Sequence, residues 1–127
     1  MKLLLDTNVI LWWLTDDARL GPKVRSHLID GKNELFVSIA SLWEVSIKHS
    51  AGKLSATSGL IASWLNDLGI SVIPVEVAHL SALEQLERLH RDPFDRLILA
   101  QAQVEGARIV TSDAMIQQYP VPFIGTD

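Results

Sequence analysis

The sequence contains no cysteine, and it has only one tyrosine among 127 residues. The lack of cysteine excludes a disulfide-stapled scaffold and any thiolate metal site. Long apolar runs are missing as well, since no segment approaches the ~20 residues that a membrane span requires. The apolar start of the chain is interrupted by Asp6 and Asn8 before it reaches the length of a signal sequence. We therefore expect a cytoplasmic protein with no membrane contact.

Basic residues are also in short supply. Eleven lysines and arginines face 15 acidic residues, which gives a formal net charge of −4. Nucleic-acid binders are usually basic, because neutralising phosphates supplies much of their affinity. On charge alone this chain is a poor nucleic-acid binder. The exception is a protein whose acids are concentrated in one place, where they hold cations that then meet the phosphates.

What the sequence does contain is enough apolar material for a core, with a hydrophobic fraction of 48%. The length is that of one domain, and no repeat, low-complexity tract or linker divides the chain. We therefore expect residues 1–127 to form a single domain.

Short apolar runs alternate with longer segments of helical periodicity. Strands are predicted at 2–5, 35–37, 71–75 and 108–111, with a short fifth at 123–124. Helices are predicted at 9–14, 23–29, 39–49, 60–68, 78–89 and 93–105, the last with Asp92 as N-cap, Pro93 at its first position and Gly106 at its end. Strands separated by helices favour crossover connections. The pattern thus predicts a three-layer α/β fold with a mostly parallel sheet of four to five strands.

Acidic residues stand where such a sheet binds its ligands, beyond the carboxyl ends of the strands. Asp6 follows the first strand and Asp113 the fourth, Asp95 opens a helix, and Glu44 lies about two turns into the helix after the second strand. Carboxylates packed together repel each other unless protons or cations relieve them. Hard divalent cations prefer oxygen ligands. The placement predicts a metal site for phosphoryl chemistry.

Each acid also has an ordinary structural explanation. Asp6 is a suitable N-cap for the first helix, and Asp113 for a short segment at 114–118. Glu44 completes a capping-box spacing with Ser41, and Asp92 is sufficiently explained as an N-cap. Taken one at a time these signals are weak, and it is their shared placement that favours a site.

Four stretches together resemble one known family. They are LLLDTN at 3–8, ASLWE at 40–44 followed by Ile47-Lys48 and Gly52-Lys53-Leu54, HRDPFDR at 90–96, and VTSD at 110–113. In this order and spacing the sequence resembles PIN-domain proteins, in particular the VapC-type toxin ribonucleases of bacterial toxin–antitoxin pairs. The resemblance covers essentially the whole chain.

The resemblance implies an endoribonuclease that uses Mg²⁺ or Mn²⁺ and leaves a 3′-hydroxyl and a 5′-phosphate. It implies that the catalytic and metal-binding acids are Asp6, Glu44, Asp95 and Asp113. Residues expected to support them are Thr7, Asn8, Asp92 and Thr111, and candidates for contacting the RNA backbone are Lys48, Lys53, Arg91 and Arg96. The implied partners are RNA, a cognate antitoxin and a second copy of the chain in a homodimer.

Other classes fit less well. A signalling receiver domain requires an adjacent acidic pair after the first strand and a lysine after the fifth, but Asp6 stands alone and no lysine follows Lys53. A dehalogenase-type phosphatase requires Asp-x-Asp, and position 8 is asparagine. A housekeeping PIN-domain RNA-processing nuclease and a non-catalytic acidic-pocket domain remain as alternatives.

Two residue types are expected to lie mostly outside the site. The four histidines show no metal-ligand spacing among themselves, and at least three are expected at the surface or in helix packing. The four tryptophans are expected in the core. The exception is the pair Trp12-Trp13, of which only one can face inward, so that the other is available to a partner.

Overall fold

Five parallel strands form one sheet in the computed structural model, which describes residues 1–127. The strands are β1 (Lys2–Leu5), β2 (Glu34–Ser38), β3 (Ser71–Ile73), β4 (Arg108–Val110) and β5 (Phe123–Ile124). Their order across the sheet is β3-β2-β1-β4-β5. The first strand of the chain therefore lies at the centre of the sheet.

Six helices connect the strands. They are α1 (Thr7–Leu14), α2 (Pro22–Ile29), α3 (Ile39–Ser50), α4 (Ser58–Asp67), α5 (Val77–Gln85) and α6 (Pro93–Glu105), and a short 3-10 turn follows at Ile116–Gln118. None of these helices combines the length and the hydropathy of a membrane span.

The sheet separates two hydrophobic cores. Side chains alternate along β1, so that Leu3 and Leu5 enter one core while Leu4 enters the other, and all three are at most 1% exposed. Val9 of α1 and Val45 of α3 pack in the first core, whereas α6 packs in the second. The predicted three-layer α/β architecture is therefore confirmed.

The start of α6 agrees with the sequence in detail. The Asp92 carboxylate accepts hydrogen bonds from the amides of Phe94 (2.9 Å) and Asp95 (3.4 Å), and Pro93 occupies the first turn. Gly106 ends the helix in the left-handed region at φ +64°, where a side chain would be strained. Both ends of this helix are set by local chemistry, which is why they are readable from the sequence.

Two predicted elements are too long. Strand β3 ends at Ile73, two residues before the predicted end, because Pro74 has no amide hydrogen to continue the ladder. Helix α5 ends at Gln85 instead of Leu89.

The hydroxyl of Tyr119 accounts for the early end of α5. It accepts hydrogen bonds from the amides of Leu89 (3.0 Å) and His90 (2.8 Å), and it donates one to the carbonyl of Glu87 (2.8 Å). Amides bound to a distant side chain are not free to continue the helix. Tyr119 itself is buried, so this hydroxyl fixes the main chain that leads into α6.

Tyr119→Phe tests this contact. We expect the free energy of unfolding to fall by roughly 1–3 kcal/mol, because two partly buried amides lose their acceptor while the ring is kept. Urea unfolding followed by circular dichroism measures the change, and the denaturant slope is expected to stay constant. Equal unfolding free energies for the two proteins would show that water replaces the hydroxyl.

The tryptophans are less buried than predicted. Trp43 is 61% exposed and packs only the edge of its ring against Phe94, at 5.1 Å between centroids. Trp13 and Trp64 meet edge to face at 5.5 Å beside the first core, and Trp12 lies under the guanidinium of Arg19. The prediction of a core position is therefore wrong for Trp43, which lies on the outer side of α3.

Candidate active site

The strand order reverses beside β1. The chain moves from β1 to β2 and β3 on one side, and later crosses back to place β4 on the other side. In open α/β sheets the crevice at this point, beyond the carboxyl ends of the strands, is the usual place for a ligand. Asp6 directly follows β1, and its amide bonds to the carbonyl of Val110 at the end of β4. Asp113 follows three residues after β4.

Asp6 is buried and its carboxylate is held on both oxygens. One oxygen accepts from the amide of Val9 at 3.0 Å, which makes Asp6 the N-cap of α1, and the other accepts from the hydroxyl of Thr111. Burial raises the pKa of Asp6 to about 6, and the charges of Asp113 and Glu44 act in the same direction, against the two hydrogen bonds. The capping role thus coexists with a place at the crevice.

Asp95 lies in the first turn of α6. Burial is the main cause that raises its pKa to about 7, and the neighbouring charges of Asp92, Asp6 and Asp113 add to it, while His90 opposes the shift. A carboxyl with such a pKa is easily neutralised, either by a proton or by a bound cation.

Asp113 is turned into the crevice by the main chain around it. Its amide donates to the hydroxyl of Thr111, and one carboxylate oxygen accepts from the amides of Met115 (2.8 Å) and Ile116 (3.3 Å). Burial raises the pKa of Asp113, but the hydrogen bond from His90 and those two amides outweigh it and bring the pKa below its ordinary value. Asp113 therefore stays ionised more readily than Asp6 or Asp95.

Glu44 reaches the crevice from α3, and its carboxylate lies 3.1 Å from the ammonium of Lys48 one turn later. The capping box predicted between Ser41 and Glu44 is not formed, because α3 begins earlier and is capped by Ser38. The buried hydroxyl of Ser41 instead accepts from Thr7 at 3.0 Å. That bond connects the start of α1, directly after Asp6, to α3, which carries Glu44. The Thr7 hydroxyl therefore helps to fix the position of these two segments relative to each other.

All four acids line one cavity of about 240 Å³. No hydrophobic residue lines it, and its walls are Asp6, Thr7, Asn8, Glu44, Lys48, His90, Asp92, Asp95 and Asp113. The structure thus brings together Asp6, Glu44, Asp95 and Asp113, with Thr7, Asn8 and Asp92 beside them. Thr111 lies beneath, through its bond to Asp6. Clustered carboxylates with raised pKa values and no apolar wall suit a hard divalent cation such as Mg²⁺ or Mn²⁺.

His90 is the residue of this cavity that the sequence did not single out. Its Nε2 lies 2.9 Å from a carboxylate oxygen of Asp113 and 3.1 Å from one of Asp95. Burial lowers the pKa of His90, but the carboxylates of Asp113, Asp95 and Asp92 outweigh it and raise the pKa. The available signal was its position at the start of the HRDPFDR stretch, two residues before Asp92.

His79 is the buried histidine of the chain, and it has a packing role. Its Nδ1 accepts from the amide of Glu76 at 3.0 Å at the start of α5, and its Nε2 lies 3.3 Å from a carboxylate oxygen of Glu105 on α6. It joins two helices, as expected for a histidine used in packing.

Three of the four predicted RNA-contacting residues gather beside the acids. Lys48, Lys53 and Arg91 line a second cavity of about 490 Å³, whose other walls are Glu44, Ile47, Ala51, Asp92, Pro93 and Phe94. The two cavities share Glu44, Lys48 and Asp92, so they are contiguous. Arg96 lines neither cavity and donates to the carbonyl of Leu86.

A comparison with known families identifies the class to which this fold and cavity belong. The sequence profile of the PIN domain matches residues 3–122. The chain therefore belongs to the PIN-domain family.

One curated protein and two solved structures are similar to this chain over almost its whole length. The chain is 30% identical over 124 residues to Ribonuclease VapC22 of Mycobacterium tuberculosis, an alignment that covers 94% of this chain and 92% of that protein. Two crystal structures resemble the fold: VapBC2 from Rickettsia felis bound to a DNA fragment from its promoter (TM-score 0.74, 18% identity, all of both chains) and DNA-bound VapBC from Salmonella typhimurium (TM-score 0.74, 17% identity, 100% of this chain and 99% of that one).

Proposed function

We propose that this protein is a divalent-metal-dependent endoribonuclease, with Mg²⁺ or Mn²⁺ held by Asp6, Glu44, Asp95 and Asp113. The observation that carries the proposal is the convergence of these acids, from four separate segments, on one cavity without apolar lining. The relationship to Ribonuclease VapC22 over almost the whole chain supports RNA as the substrate.

The cavity suits a hydrolysis that uses water as the nucleophile. No cysteine or serine lines it, and the one hydroxyl in its wall, that of Thr7, is already donated to Ser41. A bound divalent cation supplies a water of lowered pKa and offsets charge on the scissile phosphate. The protein holds the acids that bind this cation: Thr111 and the Val9 amide orient Asp6, and the amides of Met115 and Ile116 orient Asp113.

The adjoining cavity gives the RNA a path away from the acids. Lys53 and Arg91 form no ion pair within the chain, so their charges are available to backbone phosphates. The apolar walls formed by Ile47, Pro93 and Phe94 suit the face of a nucleobase. This local concentration of cations beside the metal site resolves the conflict between an acidic chain and a nucleic-acid substrate.

The biological role we propose is that of the toxin in a toxin–antitoxin pair, with an antitoxin protein as partner and a homodimer as the assembled form. The structural neighbours from Rickettsia felis and Salmonella typhimurium are VapBC complexes, which supports such a partner. Helix α3 also exposes Ile39, Trp43 and Ile47 in one stripe, as a protein interface requires. Cleavage that is unaffected by the protein encoded beside this gene would instead favour a housekeeping nuclease.

Cleavage of labelled RNA tests the enzymatic proposal. We expect cleavage with Mg²⁺ or Mn²⁺, none with a chelator, and products with 5′-phosphates. Asp6→Asn protein purified in parallel controls for contaminating ribonucleases, because asparagine can still cap α1 while a charged ligand is lost. Full cleavage by Asp6→Asn, or full cleavage in chelator, would refute the metal site.

The RNA path is tested by binding, measured separately from cleavage. In the Asp6→Asn background, Lys53→Ala and Arg91→Ala are each expected to weaken binding of single-stranded RNA in fluorescence anisotropy. Each change is also expected to reduce the salt slope by about 0.7, the value for one lost phosphate contact. Lys23→Ala, an exposed lysine of α2, is the matched control. If Lys53→Ala and Arg91→Ala show the same salt slope as Lys23→Ala, the RNA does not contact Lys53 or Arg91.

A further inference from the structure

We propose that His90 is a positioning residue that donates its Nε2 hydrogen to Asp113, with Asp95 close beside this bond, and that it does not itself bind the metal ion. The inference rests on the proposed metal site and specifies its chemistry. Geometry alone leaves two possibilities, because the imidazole and the two carboxylates lie close enough together to share one ion. The hydrogen bonds around the ring decide between them.

The second ring nitrogen fixes the location of the proton. The amide of Asp92 donates to Nδ1 of His90 at 3.1 Å, so Nδ1 must offer a lone pair. A neutral imidazole carries its hydrogen on one nitrogen only. The hydrogen therefore lies on Nε2, which faces oxygens of Asp113 at 2.9 Å and of Asp95 at 3.1 Å. This tautomer is inferred from the network of donors and acceptors.

The main chain holds the ring in this orientation. The Tyr119 hydroxyl accepts from the amides of Leu89 and His90, and Asp92 caps α6 only two residues later. The His90 side chain is 15% exposed. The donor to Nδ1 and the acceptor of Nε2–H are thus both positioned by parts of the fold that do not depend on a ligand.

The arrangement is the reverse of that found around a metal-binding histidine. A histidine ligand gives one nitrogen to the metal and donates its other N–H to an acceptor. Here the other nitrogen already receives an N–H, so binding a metal through Nε2 would leave the ring without any proton. The ion is therefore held by oxygen atoms alone, a set that suits Mg²⁺ or Mn²⁺ better than Zn²⁺. When no ion is bound, the Nε2–H group hydrogen-bonds to Asp113 beyond β4 and lies 3.1 Å from a carboxylate oxygen of Asp95 on α6.

Nuclear magnetic resonance of ¹⁵N-labelled protein tests the tautomer without any metal. At a pH above the titration of His90, where the ring is neutral, we expect the ring hydrogen to lie on Nε2. A neutral ring that carries its hydrogen on Nδ1 overturns the proposal. This result does not depend on whether the protein cleaves RNA.

Manganese is the probe for the metal-bound state. Pulsed electron paramagnetic resonance of the Mn²⁺-loaded protein is expected to show no directly coordinated nitrogen. A coordinated-nitrogen signal that disappears in His90→Gln refutes the proposal while leaving the metal site itself intact. A failure of Mn²⁺ to bind at all refutes the proposed function, and it is a separate observation from the tautomer.

The Mn²⁺ affinity of His90 variants distinguishes a hydrogen-bond donor at this position from a side chain that only fills space. His90→Ala is expected to weaken Mn²⁺ binding by about 10- to 100-fold, the usual effect of losing a group that orients a ligand. His90→Gln retains an N–H donor near the Nε2 position and is expected to recover most of this loss, whereas a ligand nitrogen would not be replaced. His49→Ala, an exposed histidine of α3, is the control. Equal losses in His90→Ala and His90→Gln contradict the donor role.

Discussion

Replacing Asp95 with asparagine is expected to abolish RNA cleavage and, in the same protein, to make the metal-free fold more stable. Cleavage should fall by on the order of 10³-fold, because a charged ligand to the cation is lost from the cavity. The gain in stability also comes from the removal of the Asp95 charge. Burial and the charges of Asp92, Asp6 and Asp113 work against an ionised Asp95, and they raise its pKa to about 7.

The size of the stability gain is set by how far solvent screens these charges. At pH 8 the Asp95 carboxyl is ionised in spite of its surroundings, whereas an asparagine carries no charge to repel. The side chain is 19% exposed, so only part of the effect appears as stability. We expect a gain on the order of 1 kcal/mol, which corresponds to a rise in Tm of about 2–6 °C.

Thermal unfolding in chelator at pH 8 measures this gain, and labelled RNA with Mg²⁺ measures the lost cleavage. Asp67→Asn is the matched control, since it makes the same chemical change at an exposed position at the end of α4. An Asp95→Asn protein that is less stable than the wild type would show that the carboxylate supports the fold. Retained cleavage would remove Asp95 from the proposed metal site.

The second large effect concerns pH. Asp6 and Asp95 have folded-state pKa values of about 6 and about 7, above the ordinary range of an aspartate. Between pH 4 and pH 7 the folded chain therefore binds protons more tightly than the unfolded chain does. Stability is highest at the lower end of this window and is lost as the pH rises through it. For Asp6 the loss is on the order of 2 kcal/mol.

Asp113 contributes in the opposite direction. Its pKa is lowered, so the stability that it supplies is lost only as the pH falls below about 4. The metal-free protein is consequently expected to show its maximum Tm near pH 4–5 and a steady decline towards pH 8. Millimolar Mg²⁺ should reverse the decline at pH 8 and have less effect at pH 5, where protons occupy Asp6 and Asp95.

A Tm profile from pH 4 to pH 8, with Mg²⁺ and with chelator, checks both statements. Asp6→Asn is expected to make the metal-free profile less steep, because one of the two carboxyls with a raised pKa is gone. If Mg²⁺ stabilises the protein equally at pH 5 and pH 8, the ion binds outside the acidic cavity.

The sequence predicted those parts of the molecule that depend on nearby residues. Helix α6 is defined by Asp92, Pro93 and Gly106 within its own span, and its bounds were predicted accordingly. The acids Asp6 and Asp113 were identifiable because the ends of parallel strands share one edge of the sheet. Periodicity and position were sufficient to predict both features.

What the sequence missed depends on contacts between distant residues. The early end of α5 and the orientation of His90 both follow from the hydroxyl of Tyr119, which is 29 residues from His90 in the chain. The helical periodicity at 78–89 does not indicate that the amide of Leu89 binds the Tyr119 hydroxyl. The spacing of the histidines does not reveal a role for His90, because its partners in the fold are the carboxylates of Asp95 and Asp113. Such partners become visible only when the strands are placed side by side.

The central position of β1 has a consequence for when the protein becomes active during its synthesis. One of the two neighbours of β1, β4, is synthesised only after β2, β3 and the six helices, which all lie between β1 and β4 in the sequence. The hydrogen bond between Asp6 and Thr111 joins residues 105 positions apart. A nascent chain that stops before β4 has neither this bond nor Asp113, so it has no complete pocket for an ion. The proposed ion site is thus completed only after the segment from β4 to Asp113 has been synthesised.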